Sequence, residues 1–302
     1  MILSNHNILY NNFYGTSQMN TEIALLPHIR REKITITDLC LGKGAFGEVH
    51  GGVVRNDNLT EERVAIKVRM SMDLIGNIFN KFHLQQTLHK GANDMEKKEF
   101  LQEAQLMSNF KHDHILKLIG ICLDNHESLL YIVMELMEGG DLLSYLRDNR
   151  PTTSQSSSLT LLDLVSMCVD VASGCRYLEE MHFVHRDIAA RNCLVKHVLL
   201  SNGTHSRVVK IGDFGLARDI YKNDYYRKEG EGLLPVRWMS PESLVDGVFT
   251  SQSDIWSFGV LCWEIMTMGQ QPYPARTNID VLHYVRGGGR LPRPSTDCPE
   301  DL

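Results

Sequence analysis

The sequence predicts an α+β chain. Segments with strand-like alternation gather before residue 137, helical stripes gather after it, and Gly139-Gly140 breaks the chain between the two groups. Its 302 residues suffice for one large domain or two smaller lobes. A hydrophobic fraction of 43% and a charged fraction of 23% are those of a soluble globular protein. A net charge of −6 argues against a nucleic-acid partner. Seven cysteines with no Cys-x-x-Cys argue against a disulfide framework and a zinc site, and point to thiols in a reducing cytosol. No stretch approaches the roughly 20 apolar residues of a membrane span, and residues 1–15 lack the charged start and apolar run of a signal peptide.

Residues 1–29 carry many Asn and little periodicity, which predicts a flexible lead-in with order beginning near Lys33. Ile34, Ile36, Leu39 and Leu41 alternate as in a strand entering the turn Gly42-Lys43-Gly44-Ala45-Phe46-Gly47, with Glu48 to Val54 as the return strand. Arg63 to Val68 reads as the next strand. Asp94 to Phe110 reads as a helix capped by Asn93 or Asp94, with Phe100, Ala104, Met107 and Phe110 on one face. Glu103 lies beside that face and Glu99 is its rival; a solvated helix charge is the plain reading of either. Leu129 to Glu135 suits a buried strand. Pro151 to Ser158 is a loop, and Thr160 with Asp163 then forms a capping box. Leu161, Leu164, Val165, Cys168, Val171, Ala172, Cys175 and Leu178 make a helical stripe. The sequon Asn202-Gly203-Thr204 falls in a predicted cytosolic hairpin and is discounted. Ser253 to Met266 is apolar on nearly every side, as in a buried helix, so Asp254 inside it must find partners.

The chemistry-bearing stretch is His185-Arg186-Asp187-Ile188-Ala189-Ala190-Arg191-Asn192, followed by Asp213-Phe214-Gly215. Asp187 can accept the proton of an attacking hydroxyl, and Asn192 and Asp213 offer the hard oxygen ligands that Mg²⁺ prefers. Upstream, Gly42, Gly44 and Gly47 let backbone amides approach phosphates, and Lys67 follows on the next strand as a cation. Any one of these glycines alone is an ordinary hairpin turn. His182 and His185 lack a third ligand at suitable spacing, so a structural role fits them better than a metal. Four elements in this one order resemble the protein kinases.

The resemblance implies a two-lobed kinase fold: a small, mostly β N-lobe with one helix over residues 30–137, and a larger, mostly α C-lobe over 138–302. It implies ATP and Mg²⁺ as cofactors, with Glu103 pairing Lys67 against the α- and β-phosphates. It places Leu41, Val49, Ala65 and Leu194 around the nucleotide, Met134 behind the adenine, the backbones of Glu135 and Met137 against it, and Asp141 near the ribose. Ala189-Ala190-Arg191 resembles the tyrosine-specific loop, where Arg191 offsets charge beside the phenol; Leu234 to Met239 independently has the tyrosine-kinase form. Tyr221, Tyr225 and Tyr226 stand among Arg218, Lys222, Arg227 and Lys228, a pattern similar to the autophosphorylated loops of insulin-receptor-like kinases, with self-association for phosphorylation in trans.

Asp219 to Trp238 and Leu136 to Asp141 are similar to receptor kinases of the Sevenless/Ros type, which implies tyrosine-containing protein substrates and a place on the cytoplasmic side of the plasma membrane. Several features depart from the pattern. Ser71 to His89 looks inserted before the helix, with Ile75, Ile78, Phe79 and Phe82 at helical spacing, and reads either as a docking segment or as translated non-coding sequence. His50 and Ser240 replace an aromatic residue and an alanine. Pro299 to Leu302 resembles the start of another helix, so the C-lobe is expected to be incomplete and Glu242 to be buried without its arginine. A non-catalytic scaffold with a surviving kinase fold is the second reading.

Overall fold

The computed structural model describes residues 25–44, 47–58, 60–69, 100–124, 129–153, 157–199, 205–214, 218–219, 226–227 and 234–294. The insert at 71–89, the caps at Asn93 and Asp94, Glu99, the sequon at 202–204, Tyr221, Tyr225 and the tail from Pro299 lie outside the described residues. The chain divides into two units: Met1–Phe110 with Lys117–Leu136, and Lys111–Leu116 with Met137–Leu302.

In the first unit, β1 (Ile34–Gly44), β2 (Gly47–Arg55), β3 (Glu61–Arg69), β4 (Leu118–Asp124) and β5 (Leu129–Glu135) form one antiparallel sheet of order β1-β2-β3-β5-β4. Strand side chains alternate between faces, so Val64 and Ile66 on β3 meet Ile34, Val54, Cys122, Tyr131 and Val133 in one buried layer. Helix α1, residues 100–108, buries Phe100, Ala104 and Met107, the expected face.

The lead-in expected over residues 1–29 is corrected at its end. Leu26 is buried, the Ile121 N–H donates to the Pro27 carbonyl and the Ile29 N–H to the Ile121 carbonyl, both at 2.8 Å. Residues 27–29 thus lie along the outer edge of β4, satisfying edge groups that would otherwise face water. Gly120 permits the approach, because a Cβ there would stand 2.7 Å from the Pro27 carbonyl oxygen and 2.9 Å from Ile29 Cγ1. Gly120→Ala is therefore expected to lift this strap at a cost of about 1–3 kcal/mol. Faster hydrogen exchange at the Ile29 and Ile121 amides, with the β2–β3 amides unchanged, is the check.

The second unit is built on helices α2 (Leu142–Asp148), α3 (Leu161–Glu180), α4 (Pro241–Asp246), α5 (Ser251–Met266) and α6 (Asn278–Arg286). The box at Thr160 and Asp163 caps α3, and Thr250 with Ser253 and Thr277 with Asp280 repeat it on α5 and α6. The buried stripe of α3 runs through Leu164, Met167, Cys168, Val171 and Leu178; Leu161 in the first turn is exposed. Four short pairings finish the unit: β6 (Phe183–Val184) with β9 (Arg218–Asp219), β7 (Cys193–Leu199) with β8 (His205–Ile211), β10 (Tyr226–Arg227) with β11 (Val248–Phe249), and the bridge of Asp141 to Leu194. Ser240 caps α4 by accepting the Ser243 N–H, a use that alanine could not serve. Glu242, in the first turn of α4, is only partly buried. The expected fully buried carboxylate is thus not found, since solvent reaches this side chain at the helix start.

Candidate active site

The position of Asp187 is decided by backbone before side chain. Arg186 has φ +71°, a left-handed conformation that costs a non-glycine residue about 1–2 kcal/mol. Asp254, buried on α5, holds that turn: its two carboxylate oxygens accept the His185 N–H at 2.6 Å and the Arg186 N–H at 2.9 Å, one bond each. The His185 ring, fully buried, is bonded through Nε2 to the Gly212 carbonyl at 3.0 Å, and the Gly212 N–H donates to the Asn192 carbonyl at 2.9 Å. Because β7 and β8 pair Cys193 with Ile211, the open end of this hairpin sets Asn192 beside Gly212 and carries Asp213 next to the loop.

Four side chains then define the site in this unit. Arg191 donates to Asp187 Oδ1. Asn192 Nδ2 donates to the Asp187 carbonyl at 2.8 Å, which occupies the donor end of the amide. Asp213 is exposed at φ +54°, while its neighbour Phe214 is fully buried, edge-on to His185 at 5.1 Å. The buried residue anchors the turn and the exposed carboxylate faces out of it. Asp141 spends one oxygen capping α2, accepting the Ser144 N–H at 2.8 Å. Tyr226 contributes its backbone to β10.

Sequence reasoning missed Glu264. This residue is 1% exposed, and one of its oxygens accepts both the Ala190 N–H at 3.0 Å and the Trp238 indole N–H at 2.8 Å. The Arg191 guanidinium lies 4.2 Å from the centre of the same indole. The two stretches with the tyrosine-kinase form, 189–191 and 234–239, therefore meet at one carboxylate and one ring. The signal was available: a second acid inside the apolar helix calls for partners by the argument applied to Asp254. Burial raises both the Asp254 and the Glu264 carboxyls above the ordinary range, and the hydrogen bonds they accept only partly offset it.

In the first unit, the cross-strand register aligns Gly42 of β1 with Val49 of β2, and Val49 with Lys67 of β3. Gly44 and Gly47 face each other where β1 turns into β2. Leu41 is exposed at the strand edge; Ala65 and Met134, paired across β3 and β5, are buried. Lys67 Nζ bonds both oxygens of Glu103 at 2.8 and 2.6 Å, with side chains only 11% and 6% exposed. Glu103 thus stands against the lysine, while its rival Glu99 lies outside the described residues. Glu135, the last residue of β5, accepts the Lys117 N–H through its side chain at 2.9 Å. Lys67→Met is expected to cost the first unit about 3–5 kcal/mol by leaving a buried carboxylate without its cation. Denaturant unfolding should show that loss largely recovered in Lys67→Met/Glu103→Leu.

Comparison with known proteins decides the family. Residues 84–302 match the model of the protein tyrosine and serine/threonine kinases. The chain is 56% identical over 299 residues to the tyrosine-protein kinase transforming protein ros of UR2 avian sarcoma virus, covering 97% of this chain and 68% of that one. This chain is a protein-tyrosine kinase domain of the ROS and Sevenless family. It is 58% identical over 284 residues to the proto-oncogene tyrosine-protein kinase ROS of Mus musculus, and 54% identical over 297 residues to the protein sevenless of Drosophila melanogaster. The kinase spans 11% of the length of each of these two relatives. Among its described residues no helix is long and apolar enough to cross a membrane.

Proposed function

We propose that this kinase transfers the γ-phosphate of ATP to tyrosine hydroxyls of protein substrates and of its own loop at Tyr221, Tyr225 and Tyr226, as the cytoplasmic part of a receptor. The contact set around Asp187 carries the reading. Arg191, a mark of the tyrosine form, both donates to Asp187 and lies over Trp238, so the residues that signal tyrosine are tied to the base itself. Asp187 orients the phenol and takes its proton; with a pKa near 10, a phenol needs less help from a base than an aliphatic alcohol. Lys67, held by Glu103, contacts the α- and β-phosphates, and the amides of Gly42, Gly44 and Gly47 cover them. Leu41, Val49, Ala65 and Leu194 enclose the base, Glu135 and Met137 hydrogen-bond it through their backbones, and Asp141 meets the ribose.

The donor set fits magnesium, a hard cation that takes oxygen ligands: Asn192, whose amide nitrogen is already bonded, offers an amide oxygen, and exposed Asp213 offers a carboxylate on the residue after Gly212, whose N–H is bonded to the Asn192 carbonyl. Magnesium, when bound, neutralises charge on the transferring phosphates. Phosphate on the loop tyrosines adds about −1.5 to −2 charge each beside neighbouring cations, and self-association would deliver it in trans. The test is incubation with Mg-ATP and tyrosine- or serine-bearing peptides, with sites mapped by mass spectrometry. Transfer to the tyrosine peptide and to Tyr221, Tyr225 or Tyr226 is expected; serine labelling of equal extent, or none from folded protein, would overturn the reading.

A further inference from the structure

Arg191 stands between two carboxylates. It donates to Asp187 Oδ1, and its charge is also felt at Glu264, where burial raises the carboxyl and the Trp238 indole, the Ala190 N–H and Arg191 pull it back. A guanidinium on a long, partly exposed side chain can serve either acid. Which acid it serves matters for transfer. Among the described residues no donor bonds Asp187 Oδ2, so Arg191 on Oδ1 leaves the second oxygen for the phenol. We propose that Trp238 is a positioning residue that settles the choice: its ring holds Arg191 on Asp187, and its N–H, bonded to Glu264, keeps the buried acid from drawing that arginine away.

Trp238 is itself fixed at three points. Its backbone N–H donates to the Pro235 carbonyl at 2.9 Å, its carbonyl accepts the Ser257 hydroxyl at 2.8 Å, and its indole N–H donates to Glu264 at 2.8 Å. Ser257 and Glu264 stand about two turns apart on α5, so one rigid helix braces both the backbone and the ring. The ring is held and the arginine comes to it. A guanidinium carbon 4.2 Å from the ring centre is in stacking contact, the geometry that suits a planar cation on an indole. Arg191 rises from the turn Ala190–Asn192, whose Ala190 N–H is held by the same Glu264 oxygen that takes the indole. Without the indole, Glu264 keeps a buried charge and loses a donor, and the Arg191 charge that already reaches it is drawn in. Arg147 also acts on Glu264, but its Nε is tied to the Gly269 carbonyl at 3.0 Å. Trp238 thus acts on Asp187 only through Arg191.

The inference rests on Asp187 as the base, and the experiment separates the two. Steady-state kinetics with Mg-ATP and a tyrosine peptide, well below each melting midpoint, compare Trp238→Leu, Trp238→Phe and Trp238→Leu/Glu264→Gln in the full chain. Trp238→Leu should lower kcat about 10- to 100-fold, the scale of a displaced catalytic group. Trp238→Phe keeps a face for the guanidinium and should lose only about two- to fivefold. Glu264→Gln in the leucine background removes the rival charge and should raise kcat at least about fivefold, a recovery that lost packing alone would not give. A loss that Glu264→Gln leaves in place, or a Trp238→Leu variant that keeps its kcat, would overturn the proposal. If Trp238→Leu folds poorly, the Nε–H resonance of Arg191 in the ¹⁵N-labelled chain decides: the ring should shift it upfield in the unmodified protein and in Trp238→Phe. A resonance at the ordinary arginine position in the unmodified protein would equally overturn it. That signal needs no phosphoryl transfer, so a shifted resonance from a chain that labels no tyrosine would sink the kinase reading, and with it the role in transfer, while the placement of Arg191 stands.

Discussion

Asp187→Asn is expected to lower phosphoryl transfer to tyrosine about 100- to 10,000-fold, the range of a positioned general base, with little change in thermal midpoint. The first half follows from the side chain: an amide cannot take the phenol proton, and it gives up the ion pair with Arg191. The second follows from the backbone. The main-chain carbonyl of Asp187, not its carboxylate, receives Asn192, and the turn before it is held by Asp254. Steady-state kinetics beside a melting curve provide the check. A variant that melts several degrees lower would assign the loss to the fold; a variant that keeps its rate would remove Asp187 from the chemistry. ATP affinity should change little, because Asp187 is assigned to the hydroxyl rather than to the nucleotide.

Much of the fold was readable because its elements rest on local signals. Alternation located β1, the glycine turn placed β2 as its return strand with β3 next, a short apolar run located β5, and side-chain caps located the start of α3. What escaped notice depended on partners distant in sequence. β4 is a short run interrupted by Gly120, and its edge is completed by residues 27–29, which carry no periodicity of their own. Glu242 was expected to be buried from resemblance, but exposure is a tertiary property that a motif does not encode. The site residues themselves were legible by type and spacing. Their connection was not: 189–191 and 234–239 read as separate witnesses to tyrosine chemistry, although Glu264 and Trp238 join them physically. Agreement between them therefore counts as one structural feature seen twice.

The two buried acids of α5 should respond in opposite ways to neutralisation. Asp254 uses each oxygen for a different amide, so in Asp254→Asn one of the His185 and Arg186 N–H groups must face an NH₂. Loss of a charge-assisted bond and a blocked buried donor together cost about 2–3 kcal/mol, or roughly 4–12 °C in midpoint for a unit of this size. Activity should fall with it, since these amides set the left-handed turn before Asp187. Glu264 places both of its bonds on one oxygen, so Glu264→Gln keeps them and removes a buried charge. Its midpoint at neutral pH should be unchanged or higher. The pH dependence distinguishes the cases further. A carboxyl raised by burial contributes stability that is fully present below its unfolded value, ordinarily 4.5 for glutamate, and is lost as pH rises through its folded value. Relative to the unmodified chain, Glu264→Gln should therefore gain as the pH is raised from about 4 to 7. Thermal melts across that range, read as the difference between the two proteins, cancel the other carboxylates; a flat difference would mean that Glu264 titrates normally and that its burial carries no electrostatic cost.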